Sequence, residues 1–272
     1  MPAVNLATSL ARGYERLLAV IAENPGWVAF SGGVDSTLAL KAAREVNYPP
    51  AVALFADSPL QSEFDRDNVK RLADQLGLQL LVVPFDPLAW VAFTANPSDR
   101  CYLCKKVIFG QFQTLLPAGL VLMDGTNRDD LDADRPGHRA IVELGVVSPL
   151  ALAGLIKTEV RQLSRWLGLP NWNRPSASCL ATRIPGGITI IPKLLRRIEE
   201  CERLVRCRGF GHVRARLVAG QLDDLIVELA REEMDRADFS SRRESISEDL
   251  KGVVCGEVVF ISRDGVFLCQ DG

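Results

Sequence analysis

The chain has 272 residues, a formal net charge of −2, and 47% hydrophobic and 24% charged residues. These are ordinary globular values, with chain enough to core one large domain or two smaller ones. They exclude a chain-wide basic field for nucleic acid, and no apolar run reaches the ~20 residues that cross a bilayer. No basic-then-apolar leader opens the chain, so a cytoplasmic protein without nucleic-acid or membrane partners is expected.

Apolar residues at helical spacing (Leu6, Leu10, Tyr14, Leu17, Leu18, Ile21) predict a helix over residues 4–23. Four apolar runs bounded by turn residues follow, at 27–30, 51–55, 80–83 and 120–123. Helical patterns separate them, at 37–45, 62–76 and 105–116, and another covers 157–167. Strands alternating with helices predict an α/β fold, a doubly wound parallel sheet, with strands apolar enough to be buried on both faces. A loop rich in Asn, Pro and Ser ends near Arg183-Ile-Pro185, which predicts a first domain over 1–185 and a smaller α+β domain over 186–272. In the latter, 193–206 reads as a helix, 213–218 and 225–229 as strands, and 232–238 as a short helix start. Residues 238–248 read as a solvated loop or exposed helix, and 253–262 with 265–269 as a strand pair.

The first apolar run ends in Ser31-Gly32-Gly33-Val34-Asp35-Ser36-Thr37, and a helical pattern begins at once. Glycines let the backbone turn tightly and approach an anion, and a helix N-terminus offers unpaired N–H groups and a positive dipole end. The Gly-Lys-Ser/Thr ending of the common P-loop is missing. The hexapeptide SGGVDS instead resembles the PP-loop of the ATP pyrophosphatases, enzymes that split ATP into AMP and pyrophosphate to adenylate a substrate. Ligands of parallel sheets bind at the carboxyl ends of the strands. There Asp124-Gly125-Thr126 is the second polar, glycine-containing end, so the two turns are expected to share a cleft.

Seven cysteines and two histidines make a histidine-based metal site or Ser-His-Asp triad a poor fit. Cys101 and Cys104 stand together at a helix start, and two thiols do not complete a tetrahedral site. Cys179, in its proline- and glycine-framed loop, is the natural third. Three thiolates suit a [4Fe-4S] cluster with one iron open; the alternative is that the pair packs and Cys179 is incidental. Cys201, Cys207, Cys255 and Cys269 sit in apolar patterns and are expected to be buried.

Beyond the turn, MDGTNRDDLDADRPG, LIKTEVRQLSRWLGLPNW, SASCLATRIPGG and GFGHVRAR resemble the LarE family, ATP-dependent sulfur transferases of nickel-pincer nucleotide cofactor synthesis. The resemblance runs from about residue 10 to residue 230. It implies adenylation of a pyridinium dicarboxylate mononucleotide by ATP with Mg²⁺, and displacement of AMP by a protein-held sulfur to give a thiocarboxylate. It assigns the nucleotide to Ser31, Gly32, Gly33, Val34, Asp35 and Ser36 with Asp124, Gly125 and Thr126 beside it, and the substrate phosphate to Arg214 and Arg216. The sulfur-bearing cysteine maps onto Cys179, with Arg183 four residues on as a candidate to stabilise thiolate or leaving group. Cys101 and Cys104 match a branch that holds a [4Fe-4S] cluster on three cysteines and draws on a sulfide or other sulfur donor. Acidic positions of a C-terminal metal site map onto Glu202 and Glu228, and a homo-oligomer is implied. The other chemistries open to the same turn are tRNA thiolation and ammonia-dependent amidation.

Overall fold

The computed structural model describes residues 2–46, 50–132 and 136–262, with side chains from Thr8 onward. The chain divides into two compact units: Met1–Ser58, Glu63–Pro87 and Ser98–Ala177 form one, and Pro59–Ser62, Leu88–Pro97 and Ser178–Gly272 the other. The expected boundary after residue 185 therefore falls inside the second unit.

In chain order, the first unit opens with α1 (Pro2–Glu23), β1 (Gly26–Ala29), α2 (Val34–Val46), β2 (Ala53–Asp57), α3 (Glu63–Gln75) and β3 (Leu80–Pro84). The short α4 (Val91–Thr94) belongs to the second unit. The first unit then continues with α5 (Arg100–Thr114), β4 (Val121–Met123), α6 (Arg128–Asp132), α7 (Pro136–Glu143), α8 (Pro149–Leu152) and α9 (Lys157–Trp166). Its four strands form one parallel sheet in the order β3-β2-β1-β4, flanked by helices, which is the α/β architecture of PP-loop proteins.

That order locates the ligand crevice. The chain steps outward from β1 to β2 and β3, then crosses back to lay β4 on the other side of β1. Such a reversal opens a crevice outside the carboxyl ends of the two strands that flank it, here β1 and β4. Leu17 and Ile21 of α1, Leu38 and Leu40 of α2, and Val160 and Leu163 of α9 pack with Val28, Phe30 and Phe55 into one core. Burial on both faces does not extend to β3. It is an edge strand, and Leu81 and Val82, successive residues on opposite faces, are 38% and 40% exposed.

The second unit continues with a 3-10 turn (Leu180–Arg183), α10 (Pro192–Cys207), β5 (Arg214–Val218), β6 (Gln221–Leu229), α11 (Arg231–Met234), α12 (Phe239–Leu250) and β7 (Val258–Ser262). Its sheet is mixed, β5 antiparallel and β7 parallel to β6. The buried Phe239 ring stands edge-on to both Phe210 and Phe260, at 6.1 and 6.3 Å. Of the two alternatives for residues 238–248 the helix is found, but it is not exposed all round: Phe239, Ile246 and Leu250 give α12 a buried face. β6 starts at Gln221 rather than 225, because Val218 and Gln221 close a two-residue hairpin with Gly220 at φ +80°. The last strand begins at Val258 rather than 253, and the strand expected at 265–269 lies outside the described residues.

Candidate functional site

At the end of β1 the chain turns through Gly32, whose φ of +68° is left-handed and suits glycine. A Cβ there would also lie 2.8 Å from Val69 Cγ2. The turn is then knitted to the first turn of α2. Ser36 Oγ and Thr37 Oγ1 both donate to the Gly33 carbonyl, at 3.1 and 2.8 Å, and the Ser31 N–H donates to Ser36 Oγ at 3.3 Å. Ser36 and Thr37 are buried and brace the turn, while Ser31, Gly33, Val34 and Asp35 face a cleft of about 380 Å³.

The end of β4 closes onto the same turn. A Cβ on Gly125 would lie 2.7 Å from Ser36 N, so only glycine lets the two strand ends meet. Asp124 and Thr126 are buried and bonded inward. Asp124 accepts from the Thr126 N–H at 3.1 Å, Thr126 Oγ1 at 2.6 Å and Ser148 Oγ at 2.8 Å. These residues shape the loop, and its next residue, Asn127, reaches the cleft.

Several cleft residues lay outside the sequence-based set. Lys157, the first residue of α9, forms an ion pair with Asp35, whose other carboxylate oxygen accepts from Asn127 Nδ2 at 3.2 Å. Arg174 donates to the Gly32 carbonyl at 3.3 Å and to Asp65 at 2.7 Å, and it lines the cleft as well. Behind the turn, buried Asn171 donates to the Gly32 carbonyl at 3.1 Å and to Thr37 Oγ1 at 2.9 Å. The cleft thus combines a helix N-terminus, two fixed cations and serine hydroxyl groups, which is an environment for a polyphosphate. Lys157 and Arg174 stand in the LIKTEV and NRPS segments, but nothing local marked them as belonging to the turn.

Cys179 belongs to the second unit, half-buried at the start of the 3-10 turn Leu180–Arg183. Arg183 is buried and donates through Nη1 to Ser178 Oγ at 2.6 Å and Thr182 Oγ1 at 2.8 Å, and through Nε to Glu202 at 2.9 Å. Glu202 is 1% exposed and also accepts from Arg206 at 2.7 Å and the Ala215 N–H at 3.2 Å. Arg214 and Arg216 share one face of β5, while Ala215 and Leu217 are buried on the other. Arg216 pairs with Glu228 and donates to the Thr182 carbonyl at 2.8 Å. Glu202 and Glu228, expected as metal ligands, are therefore each neutralised by arginine, which competes with any cation for their oxygens.

Cys101 and Cys104 occupy the first turn of α5 in the first unit, the former exposed and the latter half-buried. Both are thiols rather than disulfides, as is Cys179. Their donor chemistry fits an iron–sulfur cluster. Among the described residues, however, no group of three or more His, Cys, Asp or Glu side chains is gathered closely enough to hold a metal ion. Of the cysteines expected to be buried, only Cys201 is so among the described residues, and burial pushes its thiol up to about 12. Cys207, the last residue of α10, and Cys255 are exposed, and Cys269 lies outside the described residues.

No family model matches the chain. It is 40% identical over 194 residues to an uncharacterized protein of Synechocystis, covering 70% of this chain and 71% of that one. It is 33% identical over 192 residues to the pyridinium-3,5-bisthiocarboxylic acid mononucleotide synthase of Lactiplantibacillus plantarum, covering 70% of each. A glutamine-hydrolyzing GMP synthase chain of Methanocaldococcus jannaschii is 28% identical over 190 residues, 64% of this chain and 61% of its own. With the PP-loop turn at the sheet's reversal point and one-third identity along most of both chains, the protein belongs to the LarE family of the PP-loop superfamily.

Proposed function

We propose that the protein is an ATP-dependent sulfur transferase that converts carboxylates of a pyridinium-3,5-dicarboxylate mononucleotide into thiocarboxylates. The observation that carries this reading is the cleft at the α2 N-terminus, where Lys157 and Arg174 join the SGGVDS turn. The synthase relative supplies the acceptor class.

In the proposed reaction, ATP lies with its phosphates against the Gly33–Asp35 backbone, Lys157 and Arg174. A substrate carboxylate oxygen attacks the α-phosphorus, the bond to the β-phosphate oxygen breaks, and pyrophosphate leaves. The fixed N–H groups and the two cations stabilise the charge that builds on phosphate. Mg²⁺ bound with ATP would supply further neutralisation, with Asp35, held by Lys157 and Asn127, as the carboxylate beside it. A nucleophilic sulfur held at Cys179 then attacks the activated carbonyl, and the bond to AMP breaks. Arg214 and Arg216 suit the substrate phosphate, since guanidinium forks pair with phosphate oxygens.

The sulfur carrier is the finer part of the proposal. Cys101, Cys104 and Cys179 would hold a [4Fe-4S] cluster whose open iron supplies a binding position for an exchangeable sulfide. Anaerobic reconstitution with iron and sulfide is expected to give brown absorbance that Cys101→Ala abolishes. Unchanged absorbance and sulfur transfer in that variant would overturn the cluster. The intact mass after turnover separates the routes: a protein lacking one H₂S marks Cys179 itself as donor, and an unchanged mass supports replenishable sulfide. The same reading makes the protein a cytoplasmic homo-oligomer, which sedimentation of the full chain measures.

Pyrophosphate release tests the adenylation half. It should require both ATP and the pyridinium dicarboxylate mononucleotide. Release that instead needs ammonia and a nucleotide acceptor would favour the chemistry of the GMP synthase relatives, and release that needs tRNA would favour RNA thiolation.

A further inference from the structure

We propose that Glu202 is a positioning residue for the sulfur at Cys179, acting through Arg183, rather than a ligand of a metal ion. The inference rests on the proposed role of Cys179 as sulfur carrier and deepens it.

Glu202 is nearly inaccessible, and its carboxylate is shared among Arg183, Arg206 and the Ala215 N–H. With two guanidinium groups and a backbone donor on it, the carboxylate has its charge compensated by the protein's own groups. Its firmest consequence is on Arg183. With Nε fixed on Glu202, the planar guanidinium fork has one orientation, and Nη1 then meets both Ser178 Oγ and Thr182 Oγ1. Those residues bracket Cys179. Thr182 in turn bonds back to the Cys179 carbonyl, through its N–H at 3.0 Å and its hydroxyl at 2.7 Å, while Arg216 holds the Thr182 carbonyl. The next residue is tied as well: the Leu180 N–H donates to the Leu60 carbonyl at 2.8 Å.

The backbone around the sulfur is therefore set by one buried carboxylate two hydrogen bonds away. A buried ion pair of this kind is a weak source of stability, and its best-attested use is to fix one arrangement. Acyl transfer to sulfur needs that arrangement, because a misplacement of about 1 Å costs about a hundredfold in rate.

The test uses the full chain freed of metal by a chelator, labelled with iodoacetamide at one pH and read peptide by peptide by mass spectrometry. Glu202→Gln keeps the shape but removes the charge, and Arg183→Lys keeps the charge but removes the fork. In both variants Cys179 is expected to label several-fold faster than in the native chain, while Cys201 stays unlabelled. Cys201, fully buried next to Glu202 on α10, reports loosening of the whole unit. In Glu202→Gln, kcat for thiocarboxylate formation should also fall about tenfold or more with KM for ATP kept. Unchanged Cys179 labelling in both variants would overturn the proposal. So would Cys201 labelling in step with Cys179, which would make Glu202 a support of the core alone. If the native chain forms no thiocarboxylate, the proposed function fails, and the labelling comparison still decides this point.

Discussion

Replacing Gly125 by alanine perturbs the meeting of the two strand ends and little else. The added Cβ would lie 2.7 Å from Ser36 N, 3.1 Å from Ser36 Cα and 3.2 Å from the Asp35 carbonyl carbon. All three are backbone atoms of the first turn of α2, so no side chain can swing aside. Either the β4 loop or the helix start must move by several tenths of an ångström. Overpacking of this kind costs about 1–3 kcal/mol, which in a chain of this size lowers Tm by roughly 2–10 °C. The same displacement shifts the N–H groups that face the cleft, so ATP should bind more weakly by an order of magnitude. Differential scanning fluorimetry and isothermal titration with ATP measure the two effects. Gly110→Ala is the control. Gly110 lies inside α5 with open space around it, so alanine there should stabilise by about 0.5–1 kcal/mol and leave ATP binding alone. A Gly125→Ala protein with native Tm and native ATP affinity would refute the close approach of the two loops.

Asn171→Ala removes the Thr37 hydroxyl's donor and one of two donors to the Gly32 carbonyl, leaving Arg174 there, and should cost about 1–3 kcal/mol, visible in urea unfolding together with weaker ATP binding. Lys157→Met strips Asp35 of its ion-pair partner and the cleft of a cation, so KM for ATP should rise about tenfold or more. The Cys201 thiol titrates higher in the fold than in the unfolded chain, because burial disfavours the thiolate. Between pH 9 and about 12 the folded state therefore holds the extra proton, and its stability is complete below that window and falls as pH rises through it. Tm measured against pH should show this alkaline decline, and Cys201→Ala should flatten it.

The parts of this protein that were legible in the sequence are those whose chemistry is local. Apolar runs marked four parallel strands within a few residues, and the glycine turn before a helix is found as one wall of a cleft at the sheet's reversal point. The residues that complete the cleft come from far away. Lys157 and Arg174 reach the turn across 122 and 142 residues, and nothing in their neighbours signals that contact. Exposure was harder to read than element type. β3 has the composition of a central strand and stands at the edge, and Cys207 ends α10 on an exposed position in spite of its apolar neighbours. The apolar face of α12 was hidden by serine and arginine around Phe239, Ile246 and Leu250, although their spacing is helical. Glu202 was expected as a metal ligand from the family resemblance alone, and its pairing with Arg183 and Arg206, 19 and 4 residues away, is visible only in the fold.

The most direct test of the account is a single-turnover reaction of the anaerobically purified chain with ATP and the pyridinium-3,5-dicarboxylate mononucleotide, followed by mass spectrometry of the small-molecule product. The account predicts AMP, pyrophosphate and a product in which carboxylate oxygen has been replaced by sulfur, with the sulfur step lost in Cys179→Ala and adenylation retained. Full thiocarboxylate yield from Cys179→Ala, or no pyrophosphate from the native chain under the same conditions, would contradict it.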